Sequence, residues 1–546
     1  MPLRRDTSKR NLVRFLSARD YFDMTITSAR HTPSEGWRAR RSVGQHPVRD
    51  WLLRPRRCLS RFGRGQTPRA DAGKGVSPQA PRARLAWRLG GFVTNPHELC
   101  GLAIAVWCGL GMTWFDPPAS TASAEPTGSG SPVQTEALQA FQQGRFDEVV
   151  RLLEGAAPDQ PLSSEVLRAG VRSALRVGRP DQARTFYARL VPSGKPDEAG
   201  LLRELARAVI IRHVRDPQEH LRIAAYQALA AIAPRDAVAL FEDGLLDSSV
   251  MVRARAAEGL ARVGSTATTS ALARALDDPA QSVRIAAVSA VGSKVDPRIR
   301  SSIVRLSKSE EGVLHIFALA ALARMGQPNA VDDIAAETTL PNSEIRMAAL
   351  GALGLLKRPA SLPILSRSVY DPDPSVRAFA AGALGDLGDP KGEPALLHAL
   401  EDDDPRVRSV AAASLGRLKL GRVRPVLRQA ARDPVDLVRV GAVEALLRLG
   451  DPEAVLLAAD LAKHPDPSVR GATAQAVARS GNRKGLLVIE SLLKDQQPQP
   501  RLMAALAIGR LGGRNGLALL KQTLDDSDPA IRIAAAEGVI RLLTAK

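Results

Sequence analysis

Apolar and polar residues recur along this chain with a period of 31 residues, over about residues 197–546. The register is set by Arg222, Arg253, Arg284, Arg346, Arg377, Arg408, Arg439, Arg470, Arg501 and Arg532, with His315 in the one place that lacks arginine. Counted from that position, the residue before it is aliphatic in ten of eleven copies (Pro500 departs), and the third after it is alanine in ten (Thr473 departs). The sixth is always Ala, Gly or Ser, and the seventh is always Leu, Ile or Val, from Leu229 to Val539. Positions −1, 3, 7 and 10 fall on one helical stripe, which predicts an amphipathic helix of roughly 14 residues. Small residues at 3 and 6 let a neighbouring helix approach closely.

The ends of that helix are written too. Asp373-Pro374, Asp404-Pro405, Asp466-Pro467 and Asp528-Pro529 place an N-cap acid before a proline suited to the first helical position. Gly264, Gly326, Gly388, Gly450, Gly481 and Gly512 mark the other end. A shorter apolar stretch follows, such as Ala395 to Leu400. Each copy therefore holds two helices and two tight turns, and no pair buries its stripe alone, so the pairs must stack. The fold class is all-α: a right-handed α-solenoid of about eleven helical hairpins over residues 197–546. Such an array presents a long surface and rarely a pocket.

The run from Asp371 to Pro390, DPDPSVRAFAAGALGDLGDP, resembles the short HEAT-like repeat of the phycobilisome-lyase type, and the likeness extends over all eleven copies. In such repeats the arginine bonds Asp or backbone carbonyls in the turns of a neighbouring repeat. The resemblance therefore implies that the arginine ladder is structural. The copy with His315 also has Ser309 where most copies have Asp, which marks the fourth repeat as the expected irregular point.

Upstream, Gly144-Arg145-Phe146-Asp147-Glu148-Val149 is echoed 34 residues later by Gly178-Arg179-Pro180-Asp181-Gln182-Ala183. That spacing resembles tetratricopeptide (TPR) helix pairs, although Pro180 stands where an aromatic is usual. Residues 133–192 are expected to pack onto the array as its N-terminal cap, with Pro192–Pro196 as the joint; generic helical hairpins are the alternative.

The net charge of +19 invites a nucleic-acid reading, but residues 1–97 carry 21 Lys+Arg against 6 Asp+Glu. The array is nearly neutral and reads as one elongated solenoid. The arm, residues 1–97, is Arg-, Pro-, Gly- and Ser-rich and is expected to be disordered. An over-extended gene start, a basic tether and a nucleic-acid-binding arm are its open readings. Residues 98–116 form a hydrophobic segment, and Leu99–Phe115 contains seventeen residues without a charge. Arg82, Arg84 and Arg88 precede it, which predicts an anchor in a bacterial inner membrane with the repeats in the periplasm, or export with cleavage near Ala124. Residues 117–132 read as a Pro/Ser/Gly linker.

The array contains no cysteine and only scattered histidines: His213, His220, His315, His398 and His464. The repeated His-Glu pairs of a HEAT-type di-iron hydroxylase are missing, as are phosphate-loop, nucleophile-elbow and zinc-protease motifs. No catalytic residue, metal, cofactor or small-molecule substrate is expected. Bilin lyases share the repeat, so a lyase-like or chromophore-binding role stands as an alternative. A second arginine series lies nine residues past the ladder: Arg262, Arg324, Arg417, Arg448, Arg479, Arg510 and Arg541. It lies off the apolar stripe and is expected to reach solvent at the last helical turn, where it suits the helix dipole. Arg417, Arg448, Arg479, Arg510 and Arg541, in consecutive repeats, form a candidate ridge for an acidic protein segment or an anionic polymer. The function expected is a non-enzymatic protein-interaction scaffold.

Overall fold

The computed structural model describes residues 131–157, 160–192 and 195–544. These residues form twenty-six α-helices and no strand. Four helices come first: α1 (Pro132–Gln142), α2 (Phe146–Glu154), α3 (Ser164–Arg176) and α4 (Pro180–Leu190), each packed on the next, with α3 also against α1. A single helix, α5 (Ala199–Ile211), leads into the array.

The eleven ladder helices then alternate with second helices, which are shorter than their ladder helices except at Pro297–Ser309, 13 residues against 10 in Gln281–Ala290. In chain order they are α6 (Glu219–Ile232), α7 (Val238–Gly244), α8 (Val250–Val263), α9 (Thr269–Leu276), α10 (Gln281–Ala290), α11 (Pro297–Ser309), α12 (Val313–Arg324) and α13 (Ala330–Glu337). There follow α14 (Ser343–Leu356), α15 (Leu362–Arg367), α16 (Pro374–Leu387), α17 (Glu393–Leu400), α18 (Pro405–Arg417), α19 (Arg424–Ala430), α20 (Asp436–Arg448) and α21 (Ala454–Leu461). The last are α22 (Pro467–Ser480), α23 (Leu486–Leu492), α24 (Pro498–Leu511), α25 (Arg514–Thr523) and α26 (Pro529–Thr544). Asp373, Asp404 and Asp466 cap their helices, each accepting the N–H two residues on at 2.7–2.8 Å. Gly264, Gly388 and Gly481 close theirs in the left-handed conformation (φ 58°, 73° and 70°).

Successive ladder helices touch almost backbone to backbone. A Cβ added at Gly416 (position 8) would lie 2.5 Å from the Cα of Ala445 (position 6 of the next repeat). Gly354 stands in the same way against Ala383, and Gly509 against Gly538. Positions 3 and 7 point elsewhere, into the second helices: Leu384 is fully buried there and Gly392, at the start of the next helix, packs on it. The closest approach is thus on the side away from the second helices, so the row curves with the ladder helices inside and the second helices outside.

The curvature carries the row back to its start. The last ladder helix, α26, packs against the first, α6, and α5 lies between them as α17 lies between α16 and α18. Polar contacts seal the seam. Lys521 pairs with Asp197 at 2.5 Å, Arg203 donates to the Leu543 carbonyl at 3.0 Å, and Arg184 of α4 reaches Asp525 and the Leu524 carbonyl. The two ends of the array meet, where the sequence suggested an elongated rod with separate ends.

The apolar segment 99–115, the cleavage signature at Ala124 and the basic arm 1–97 lie outside the described residues. Among the described residues no helix is long and apolar enough to cross a membrane. The longest, α26, has 16 residues, against the ~20 apolar ones that a span requires, and carries Arg532 and Arg541. The expected inner-membrane and periplasmic placement is corrected accordingly and withdrawn.

Candidate functional site

Most ladder arginines work in two directions. Arg377 donates Nε and Nη2 to both oxygens of Asp402 in the next turn (2.6 and 2.8 Å), and Nη1 to the carbonyls of Asp371 and Pro372 in its own (3.0 and 3.2 Å). Asp402 in turn accepts the Asp404 N–H at 2.9 Å, and its carbonyl accepts from Arg408 at 2.9 Å. The same bidentate grip joins Arg222 to Asp247, Arg253 to Asp278, Arg346 to Asp371, Arg408 to Asp433, Arg470 to Asp495 and Arg501 to Asp526. Burial works to raise the Asp402 and Asp433 carboxyls, but the arginine hydrogen bonds prevail and both sit below the usual carboxylate range. These arginines fasten turn to turn and leave few donors for a ligand.

The ladder loosens at four positions. Arg284 meets Glu310 at 3.2 Å through one nitrogen, and His315 stands 4.0 Å from Glu337. Both keep a buried ring or guanidine nitrogen without a hydrogen-bond partner among the described residues. Arg439 has His464 where its aspartate would be and turns to Asp436, which also faces His464. Among the described residues Arg532 donates only to the carbonyls of Asp526 and Ser527.

The inner strip of the array is formed by positions 2, 5 and 9, between the two neighbouring ladder helices. Here the second arginine series is less open than the sequence suggested. Arg417 donates to Asp386 (3.1 Å) and the Gly382 carbonyl (3.2 Å) of the preceding helix. Arg448 and Arg479 converge on one carboxylate, Glu444, at 3.1 and 2.8 Å. All three arginine side chains are only 15–16% exposed, and Glu444 is fully buried. Their expected exposure is corrected: position 9 lies off its own helix's apolar stripe, but the adjoining ladder helices cover it. Burial works to raise the Glu444 carboxyl, yet Arg479, Arg448 and Arg417 outweigh it and the net shift is downward. Arg324 instead reaches three carbonyls, of Val288, Ser289 and Val291, each at 3.3 Å, at the C-terminal end of α10.

Toward the seam the strip opens. Arg541 pairs with Glu537 at 2.8 Å and stays 38% exposed, and Arg510 is exposed without an ion pair among the described residues. Burial pushes the Glu537 carboxyl up, and Arg541 only partly opposes it. Glu258, Glu444 and Glu537 were missed in the sequence reading, yet a signal was present. Each stands four residues before a position-9 arginine, the spacing of an ion pair along a helix.

Two layers of antiparallel helix pairs, repeated without insertion and fastened at most of their turns, define a helical-repeat protein whose inner row is its arginine-marked helix. The repeats are HEAT repeats: the HEAT-repeat family model matches residues 206–292, 367–447, 425–495 and 486–542. Arrays of this family generally mediate protein interactions. Among solved structures, the chain is similar to the complex of CpcE and CpcF of phycocyanin lyase from Nostoc sp. PCC7120 (22% identity, 44% of this chain and 94% of that one, TM-score 0.32). It is also similar to human deoxyhypusine hydroxylase in complex with glycerol (19%, 44% and 96%, TM-score 0.24) and to Kap121p bound to Nup53p (12%, 75% and 51%, TM-score 0.29). No curated protein sequence matches the chain.

Proposed function

We propose that this chain is a non-enzymatic scaffold that holds a protein partner on the inner strip of its ladder helices. The observation that supports the reading is a contrast within the repeats. Positions 3 and 7, which build the array, hardly change from copy to copy. Positions 2 and 9, on the strip, vary over the middle repeats: position 2 changes in size through Phe317, Ala348, Phe379, Val410 and Gly441, and position 9 changes in chemistry through Arg324, Leu355 and Asp386 before it settles to arginine from Arg417 on. A surface whose frame is constant and whose side chains vary suits recognition of an irregular polypeptide. Leu355, 48% exposed, and Arg510 are among its accessible members.

The test compares two pairs of substitutions in proteins with unchanged helical circular dichroism. Leu355→Glu with Arg510→Glu alters the strip, and Leu456→Glu with Leu487→Glu alters the exposed backs of α21 and α23. Cross-linking mass spectrometry on captured partners should lose its signal in the first pair only. Loss in the second pair alone would place the binding surface outside and refute the reading.

A further inference from the structure

The turns that join each ladder helix to its second helix form one rim of the array. At the residue that ends the helix in the left-handed conformation, six repeats have glycine, from Gly264 to Gly512. Three carry a side chain in the same conformation, Ala233 (φ 45°), Lys357 (φ 52°) and Lys419 (φ 57°), and the two lysines lie two repeats apart on the rim. A side-chain-bearing residue is strained there and glycine is not. The repeat between them keeps Gly388 and carries its cation three residues on, at Lys391.

Lys357, Arg358, Lys391 and Lys419 are all exposed, and none has an ion-pair partner among the described residues. Arg422, beside them, is held by Glu393 but remains 67% exposed. The patch has edges. The repeat before it offers Gln327, Pro328 and Asn329 in these turns, and the repeat after it offers the exposed Glu453. The preference of helix C-termini for cations explains a lysine in the last turn. It does not explain a strained lysine where the same chain elsewhere has glycine.

We infer that the rim formed by Lys357, Arg358, Lys391, Lys419 and Arg422 docks an extended acidic segment of a protein partner. Equivalent points on packed helices lie about 8–10 Å apart, and an extended chain advances about 3.3 Å per residue. One acidic residue in about every three then meets one repeat after another. No aromatic side chain stands in these turns of α14, α16 and α18 to stack a base, so the rim favours carboxylates over nucleic acid. The inference rests on the scaffold reading but uses a different face.

The test measures fluorescence anisotropy of a labelled peptide with glutamate at every third residue, its glutamine counterpart and a single-stranded DNA, each with the full chain. The glutamate peptide should bind, weaken with salt, and exceed both others. Lys357→Glu with Lys391→Glu and Lys419→Glu should weaken it by about tenfold or more. Lys357→Gly with Lys419→Gly should raise the melting temperature while weakening the peptide, a pair of opposite changes that a structural role would not produce. Higher melting with unchanged peptide binding overturns the inference, as does tighter binding of the DNA. Lost peptide binding beside retained partner capture through Leu355 and Arg510 sinks the rim alone; lost capture with peptide binding intact sinks the strip alone.

Discussion

Glu444 is the most consequential single carboxylate in the array, and Glu444→Gln isolates its charge. The substitution preserves volume and an acceptor oxygen but leaves Arg448 and Arg479, each only 16% exposed, facing one another without a counter-ion. Removing one partner of a buried ion pair costs about 3–5 kcal/mol. Here two cations are stranded, but their residual exposure admits some water, so a loss of about 3 kcal/mol is expected. Urea is the suitable denaturant because it does not screen charge, and hydrogen exchange across α18, α20 and α22 should show where protection is lost. A companion variant, Glu444→Leu with Arg448→Met and Arg479→Met, removes charge from both sides. It should recover most of the loss, since a buried ion pair replaced by apolar groups of similar size is often neutral. A cost below about 1 kcal/mol for Glu444→Gln, or a triple variant no better than the single one, would refute the account of the cluster.

Glu537 occupies the same position in its repeat but has one arginine and a raised pKa, so Glu537→Gln should cost clearly less than Glu444→Gln in the same urea titration. The ladder aspartates Asp402, Asp433 and Asp495 have depressed pKa values in the fold, so their contribution is complete above the unfolded value of about 4 and disappears as pH falls through the lower folded values. Thermal melting should therefore fall steeply with acidification below about pH 4, and a flat profile there would contradict the ladder's role. Lys521→Glu sets two carboxylates against each other at the seam with Asp197. It should open the array, seen as a larger radius in small-angle scattering, and Asp197→Lys in the same chain should close it again.

The period, the caps and the ladder were legible because they are local: each is decided within one copy and repeated until chance is excluded. The fate of Arg448 and Arg479 was not, because a helical wheel shows what lies opposite a helix's own stripe and nothing of the helices on either side. Gly416 against Ala445 shows how close those helices come. The meeting of α26 with α5 and α6 was harder still to read. It follows from a small rotation added at each of eleven steps, and no residue encodes the sum. Its one visible trace is α5 itself, an apolar helix before the first ladder arginine with no ladder helix of its own to cover.

That arrangement sets an order on the birth of the protein. Arg203 on α5 and the carbonyl it holds on α26 are 340 residues apart. At the ribosome's pace of about 5–20 residues per second, roughly 20–70 s pass between the making of one and the other. Through that interval the apolar flank of α5 has no permanent neighbour, while the repeats behind it fold one upon the next. A chain released before α26 is made would keep nearly all of its repeats and still leave the α26-facing flank of α5 uncovered. That is the surface by which the quality-control machinery of a cell would recognise it as unfinished.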